Sequence, residues 1–257
     1  MYILTIDVGN TNTVFGAYDR DDALKFEARV ETSAARMADE YVLILMNLLN
    51  LNGVKADEIE GAVLSSVVPP ATGQIGAAVD KLLGLTATVI GPGLKTGLNI
   101  RLDDPSSLGA DLCCAAVAAK ELYPLPAIVV DLGTATKLLA ISGRGEFLGG
   151  AIAGGLKMTF ESLASGTAAL PLISAGKVEK AIGTNTIDCM RSGVILGMAE
   201  TLDGLIDRFE KEMGAAASIV ATGGFSAVVM SECRHKMIHD PQLILKGMLA
   251  IYRKNRG

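Results

Sequence analysis

The chain carries one short pattern twice, about half its length apart. Tyr2–Asp7 (YILTID) is an apolar run closed by an acid and followed by Val8-Gly9-Asn10-Thr11-Asn12. Ala127–Asp131 (AIVVD) is a second such run, followed by Leu132-Gly133-Thr134-Ala135-Thr136. Each reads as strand, glycine-bearing turn and returning strand, the returns being Thr13–Tyr18 and Lys137–Ile141. A duplicated β-hairpin at half-chain spacing predicts two related α/β lobes, each opening on the same unit. The expected division is 1–115 and 116–257.

The rest of the pattern fills out those lobes. Strands are predicted at Lys25–Glu31, Gly61–Val68, Thr88–Ile90, Glu146–Gly149 and Ser218–Ala221. Apolar residues at helical spacing (Met37, Tyr41, Ile44, Leu45, Leu48, Leu49) predict a helix over Met37–Leu51. Further helices are predicted at Gly76–Leu83, from a Ser106 or Ser107 cap to Leu122, over Asn185–Lys211 with interruptions at Gly193 and Gly197, and at Pro241–Lys254.

The turn chemistry points to phosphate. Glycine lets a ligand come close to the backbone. Successive amides in such a turn form an anion-binding nest, and Asn and Thr add donors without bulk. The acid at the strand end repels a bare phosphate, so its presence calls for a divalent cation between the two. Either hairpin alone is an ordinary turn; the pair, facing one another across a cleft, suits a triphosphate. Thr222-Gly223-Gly224 suits a nucleotide base or ribose, or merely opens the next helix. No GxxxxGK[ST] is present, Gly91–Thr96 having only its flavour, and no GxGxxG follows a strand.

Composition excludes several classes. The 257 residues are 50% hydrophobic and 20% charged, a globular α/β balance. With a formal charge of -5 and no basic tract, neither nucleic acid nor a membrane surface is an expected partner. Four cysteines without CxxC or histidine spacing read as free, mostly buried thiols. No signal peptide or membrane-spanning run is visible, so the cytoplasm is the expected compartment.

Nine segments in order resemble the type III pantothenate kinase family: Asp7–Phe15, Ser65–Pro69, Leu108–Asp111, Asp131–Thr136, Gly149–Ile152, Thr167–Pro171, Gly183–Thr186, Met190–Gly193 and Ala221–Gly224. The resemblance runs from Tyr2 to Asn255. It implies a duplicated actin-like (ribonuclease H-like) ATPase fold, two lobes around a nucleotide cleft, and a homodimer. It also implies ATP-dependent phosphorylation of the primary hydroxyl of pantothenate, the first step towards coenzyme A, with Mg²⁺ and K⁺ or NH₄⁺. Carried onto this sequence, Asp7, Val8, Gly9, Asn10, Thr11, Asn12, Thr13 and Val14 cradle the ATP phosphates, with Asp7 near the Mg²⁺. Thr134 is a further ATP contact and Asp131 the monovalent-cation ligand. Asp111 is the general base. Gly109, Ala110, Asp111, Leu112 and Thr186 face the acceptor.

Five positions depart from the family. Leu112 stands where Arg usually follows the base, and Leu102 where Tyr is common. Lys137 and Leu139 replace a Thr and an Asp past the second hairpin, and Gly154 replaces a Pro. Losing that Arg removes a charged fork of donors from the acceptor side. Lys137 is expected to point to solvent. The same residues also suit a paralogue acting on another alcohol, or an ATP-binding regulatory protein with little turnover. His235 and His239 are expected at the surface. Ile187–Leu205 suits either a dimer helix or a core helix.

Overall fold

The computed structural model describes residues 1–256. The chain begins with β1 (Tyr2–Val8), β2 (Asn12–Tyr18), β3 (Leu24–Glu31), α1 (Ala38–Leu51), β4 (Ile59–Ser66), α2 (Pro69–Leu83) and β5 (Thr88–Val89). It continues through β6 (Asn99–Ile100), α3 (Ala110–Leu122), β7 (Ala127–Leu132), β8 (Ala135–Ile141), β9 (Glu146–Gly154) and α4 (Leu156–Ser165). Last come α5 (Thr186–Arg191), α6 (Gly197–Met213), β10 (Ser218–Thr222), α7 (Ser226–Met230), β11 (Ile238–His239) and α8 (Leu243–Lys254).

The duplication is real at the level of topology. The first sheet has strand order β3-β2-β1-β4-β5, and the second repeats it as β9-β8-β7-β10-β11, with β6 added outside β9. In each, the opening hairpin is antiparallel and the fourth strand returns parallel to the first. Such a parallel return needs a crossover, here α1 between β3 and β4. Each acid ends up on a central strand, paired on both sides: Asp7 opposes Val14 and Ser65, and Asp131 opposes Lys137 and Thr222.

Two compact units result, one made of Met1–Gly97, Asp104–Ala118 and Leu243–Gly257, the other of Leu98–Asp103 and Ala119–Gln242. The division thus falls inside α3, and the final helix belongs with the first unit, where the sequence pattern placed a single break after residue 115. The first core is Leu4, Ile6, Val8 and Leu64 packed on Tyr41, Leu45 and Leu49 of α1 and Ile75 and Val79 of α2. The second packs Ile128, Val130 and Leu138 against Leu156, Phe160, Met190, Ile195 and Leu202. Met190, Val194, Ile195, Met198, Ala199 and Leu202 are therefore core of their own unit, while Ile187 is exposed.

Two element ends differ from expectation for local reasons. Pro69 and Pro70 start α2, ahead of the expected Gly76, because the first helical positions need no amide partner. The Asp104 carboxylate accepts from the Ser106 amide at 2.9 Å and caps a single 3₁₀ turn, so α3 begins only after Gly109. Between α5 and α6 the chain passes through a π turn over Ser192–Leu196, which spans Gly193 and leads into Gly197. Neither α4 and α7 nor the two-residue strands β6 and β11 were legible in the sequence.

Candidate active site

In the first unit, strand alternation sets the site. Leu4, Ile6 and Val8 enter the core, so Thr5 and Asp7 face the other side of the sheet. On that side lies Cys114 of α3. Burial pushes its thiol well above the ordinary range. Cys113 and the Asp7 carboxylate push it further, the Ser65 hydroxyl beside it acts against them, and Asp111 adds a smaller upward push. Because Ser65 pairs with Asp7 on the neighbouring strand, the end of β1, the end of β4 and α3 meet at this thiol.

The turn that follows Asp7 is open. The Gly9 amide donates to the Asn12 carbonyl at 3.0 Å, and the side chains of Asn10, Thr11 and Asn12 are exposed. Val8 is buried, and Val14 is partly so. Thr13 differs from its neighbours: it is fully buried, its hydroxyl 2.8 Å from that of Thr32. The side chains available to a ligand are therefore those of Asp7 and of residues 10–12.

Asp111 is held by its own helix start. The Cys113 amide donates to the Gly109 carbonyl at 2.9 Å, closing the first turn. A β-carbon on Gly109 would stand 2.8 Å from an Asp111 carboxylate oxygen. The acid thus folds back over a residue that must stay small, with Ala110 and Leu112 partly exposed beside it.

In the second unit, two glycine-bearing segments close on one hairpin. The Leu132 carbonyl accepts from the Phe225 amide at 3.1 Å, and Gly223 (φ 92°) lies so close to the Leu132 backbone that no side chain fits there. Gly155, at the start of α4, lies equally close to the carbonyls of Gly133 and Thr134. Thr134 itself is exposed. Thr222-Gly223-Gly224 thereby both opens the approach to α7 and packs against the second hairpin. Thr186 lies elsewhere in this unit. It lines a cavity of about 750 Å³ with Thr184, Asn185, Thr159, Cys189 and Met190.

Lys137 does not point to solvent. Residues 131 and 137 are equidistant from Thr134 and oppose each other across the hairpin. The Lys137 Nζ stands 3.0 Å from Asp131 Oδ2, with side chains 19% and 8% exposed. Counting outward from the turn was the signal that would have found this pair. Leu139, two residues on, is buried and offers no oxygen. At Asp131, where the resemblance implies a monovalent cation, Oδ2 thus holds an ammonium of the chain's own. A divalent ion is a different matter. No group of three His, Cys, Asp or Glu able to hold a metal exists among the described residues.

His235 is likewise not a plain surface residue. Its Nδ1 lies 2.7 Å from Asp203 Oδ1 and its Nε2 3.1 Å from Asp207 Oδ1. His239 is exposed, with Nε2 2.9 Å from the Ser226 hydroxyl. The cysteines are all free: Cys113 and Cys114 are buried, Cys233 half-buried and Cys189 exposed. No helix among the described residues is long and apolar enough to cross a membrane.

Comparisons with known proteins agree with this arrangement. Among solved structures, component A of (R)-2-hydroxyglutaryl-CoA dehydratase from Acidaminococcus fermentans matches at TM-score 0.58 and 14% identity over 100% of both chains. The ROK hexokinase from Thermus thermophilus matches at TM-score 0.53 and 12% identity, over 100% of this chain and 99% of its own. These similarities establish the actin-like ATPase and sugar-kinase fold. The type III pantothenate kinase of Halalkalibacterium halodurans is 42% identical over 253 residues, 98% of this chain and 99% of that one. That of Moorella thermoacetica is 43% identical over the same shares. The family model for type III pantothenate kinase matches residues 3–208, and with relatives this similar along the whole chain, the chain belongs to the type III pantothenate kinase family.

Proposed function

We propose that this protein phosphorylates pantothenate at its primary hydroxyl with ATP, the first step of coenzyme A biosynthesis. The observation that carries the chemistry is geometric: Asp7 pairs with Ser65 on the neighbouring strand, Ser65 lies beside Cys114, and Asp111 stands on the first turn of the same helix α3. Asp111 accepts the proton of the acceptor hydroxyl. The hydroxyl oxygen bonds to the γ-phosphorus as the bridging P–O bond breaks, and ADP leaves with that electron pair. Because phosphoryl transfer is mostly positioning and charge neutralisation, one orienting carboxylate suffices as base.

The exposed turn from Gly9 to Asn12 supplies amides and side-chain donors to the phosphates, with Val8, Thr13 and Val14 shaping it from below. When bound, Mg²⁺ supplies charge neutralisation at the phosphates, with Asp7 as its protein ligand. Thr134 contributes to the nucleotide from the second hairpin. Gly109, Ala110 and Leu112 contact the acceptor beside Asp111, and Thr186 is assigned to acceptor binding by the family resemblance, in a cavity of its own unit roomy enough for a small molecule. Cytoplasmic location and a homodimer complete the reading.

The test is ADP release from Mg²⁺-ATP with and without pantothenate, in the wild type and in Asp111→Asn. Pantothenate-dependent turnover that collapses in the variant is expected; turnover that survives it removes Asp111 as base. A second reading keeps the chemistry and changes the acceptor. Leu112 favours it, since an apolar side chain beside the base holds no acceptor carboxylate. A panel of small alcohols tested against pantothenate separates the two.

A further inference from the structure

The second hairpin differs from the first at one cross-strand position. Opposite Asp7 stands Val14, an apolar side chain that brings no charge of its own. Opposite Asp131 stands Lys137, whose ammonium is within hydrogen-bond distance of the acid. We propose that Lys137 is a tethered cation that takes the place of a free monovalent ion at Asp131, so that phosphoryl transfer by this chain needs neither K⁺ nor NH₄⁺. The inference rests on the kinase reading above.

Three observations carry it. The pair is largely shielded from solvent, so its attraction is little screened by salt. The ammonium is held on the strand directly across from the acid and needs no binding from solution, whereas a free ion must be captured against dilution. Adding a second cation would also leave a net positive charge in a poorly hydrated place, which is costly unless another anion joins it. Leu139 argues the same way. It opposes Val129 in a buried apolar pair on the same side of the hairpin as Asp131 and Lys137, where an acid would have added an oxygen ligand. Lys137 is thereby a positioning residue. It keeps the Asp131 carboxylate neutralised and fixed below the turn that bears Thr134.

The experiment is the cation dependence of the wild-type enzyme. ADP release is measured with choline chloride as the sole monovalent salt, then with KCl or NH₄Cl at equal ionic strength. Rates equal within about twofold are expected; stimulation by about tenfold or more, the scale of a lost charge-stabilising contact, overturns the proposal. Lys137→Thr supplies the second arm. It is expected to lose about a hundredfold in kcat in choline and to regain much of it with K⁺ or NH₄⁺. Full activity of that variant in choline also overturns the proposal. Should Lys137→Thr not fold, the wild-type cation response decides alone. Should the protein transfer phosphate to no acceptor, the kinase reading fails separately. The same question is then put to the affinity for a non-hydrolysable Mg²⁺-ATP analogue by calorimetry, where K⁺-independent binding is expected and K⁺-dependent binding overturns the proposal.

Discussion

Gly247 on α8 lies directly against the backbone carbonyl of Cys114 on α3, leaving no room for a β-carbon between the two helices. That contact sets the depth at which α3 sits, and α3 carries Asp111 at its first turn. Gly247→Ala is expected to destabilise by about 1–3 kcal/mol through overpacking. It should also lower kcat by displacing the acid. Chemical denaturation with kinetics of the surviving fold checks this. Unchanged kcat with reduced stability would show that α3 shifts without moving its N-terminus.

Gly109→Ala tests the seat of the acid itself. A methyl at that position would meet the Asp111 carboxylate, which can swing away. The expected result is a folded protein with kcat reduced about tenfold to a hundredfold, as for a misplaced catalytic group, and little change in ATP affinity. Steady-state kinetics over both substrates reads the split.

The loop after α7 is pinned to α6 through a buried acid. Burial alone would raise the Asp203 carboxyl, but the amides of Arg234 and His235 and the His235 ring outweigh it and hold it below the usual carboxylate value. A depressed folded value contributes stability above the unfolded carboxyl value of about 3.9, and that contribution is lost as pH falls through the folded value. Thermal melts should therefore drop faster below about pH 4 in the wild type than in Asp203→Asn. At neutral pH the variant should be about 2–3 kcal/mol less stable, having lost charged hydrogen bonds. Parallel acid arms for the two proteins would exclude this clamp.

Thiol chemistry separates the four cysteines. Burial raises the Cys113 thiol to about 11 and, as the largest cause, the Cys233 thiol to about 12, and Cys114 is fully buried. Cys189 is exposed. Native protein is expected to react quickly with a thiol reagent at Cys189 alone, and at all four cysteines after denaturation. Mass spectrometry of the labelled peptides assigns the sites. Fast labelling of Cys114 would mean that α3 opens readily from the sheet beneath it.

The repeat around Asp7 and Asp131, the strand–turn–strand pattern and the family segments were legible because they are local. Apolar alternation, a terminal acid and a glycine turn all sit within a dozen residues of one another. The type of each long helix and central strand, the duplicated topology and the candidate phosphate turn follow from that information alone. Residues that act through distant partners were not legible. Cys114 meets Gly247, Gly223 meets Leu132, and His235 meets Asp203 only after the chain has closed, and no local propensity encodes those approaches. Lys137 is the instructive intermediate. Its register opposite Asp131 follows from counting along the hairpin, yet whether a lysine there faces water or stays against the acid depends on the burial supplied by the surrounding sheet. The sequence by itself determined where the two acids stand on their strands and which residues oppose them across each hairpin; the tertiary structure decided that Lys137 stays against Asp131, because only packing removes the water that would otherwise hold the lysine away.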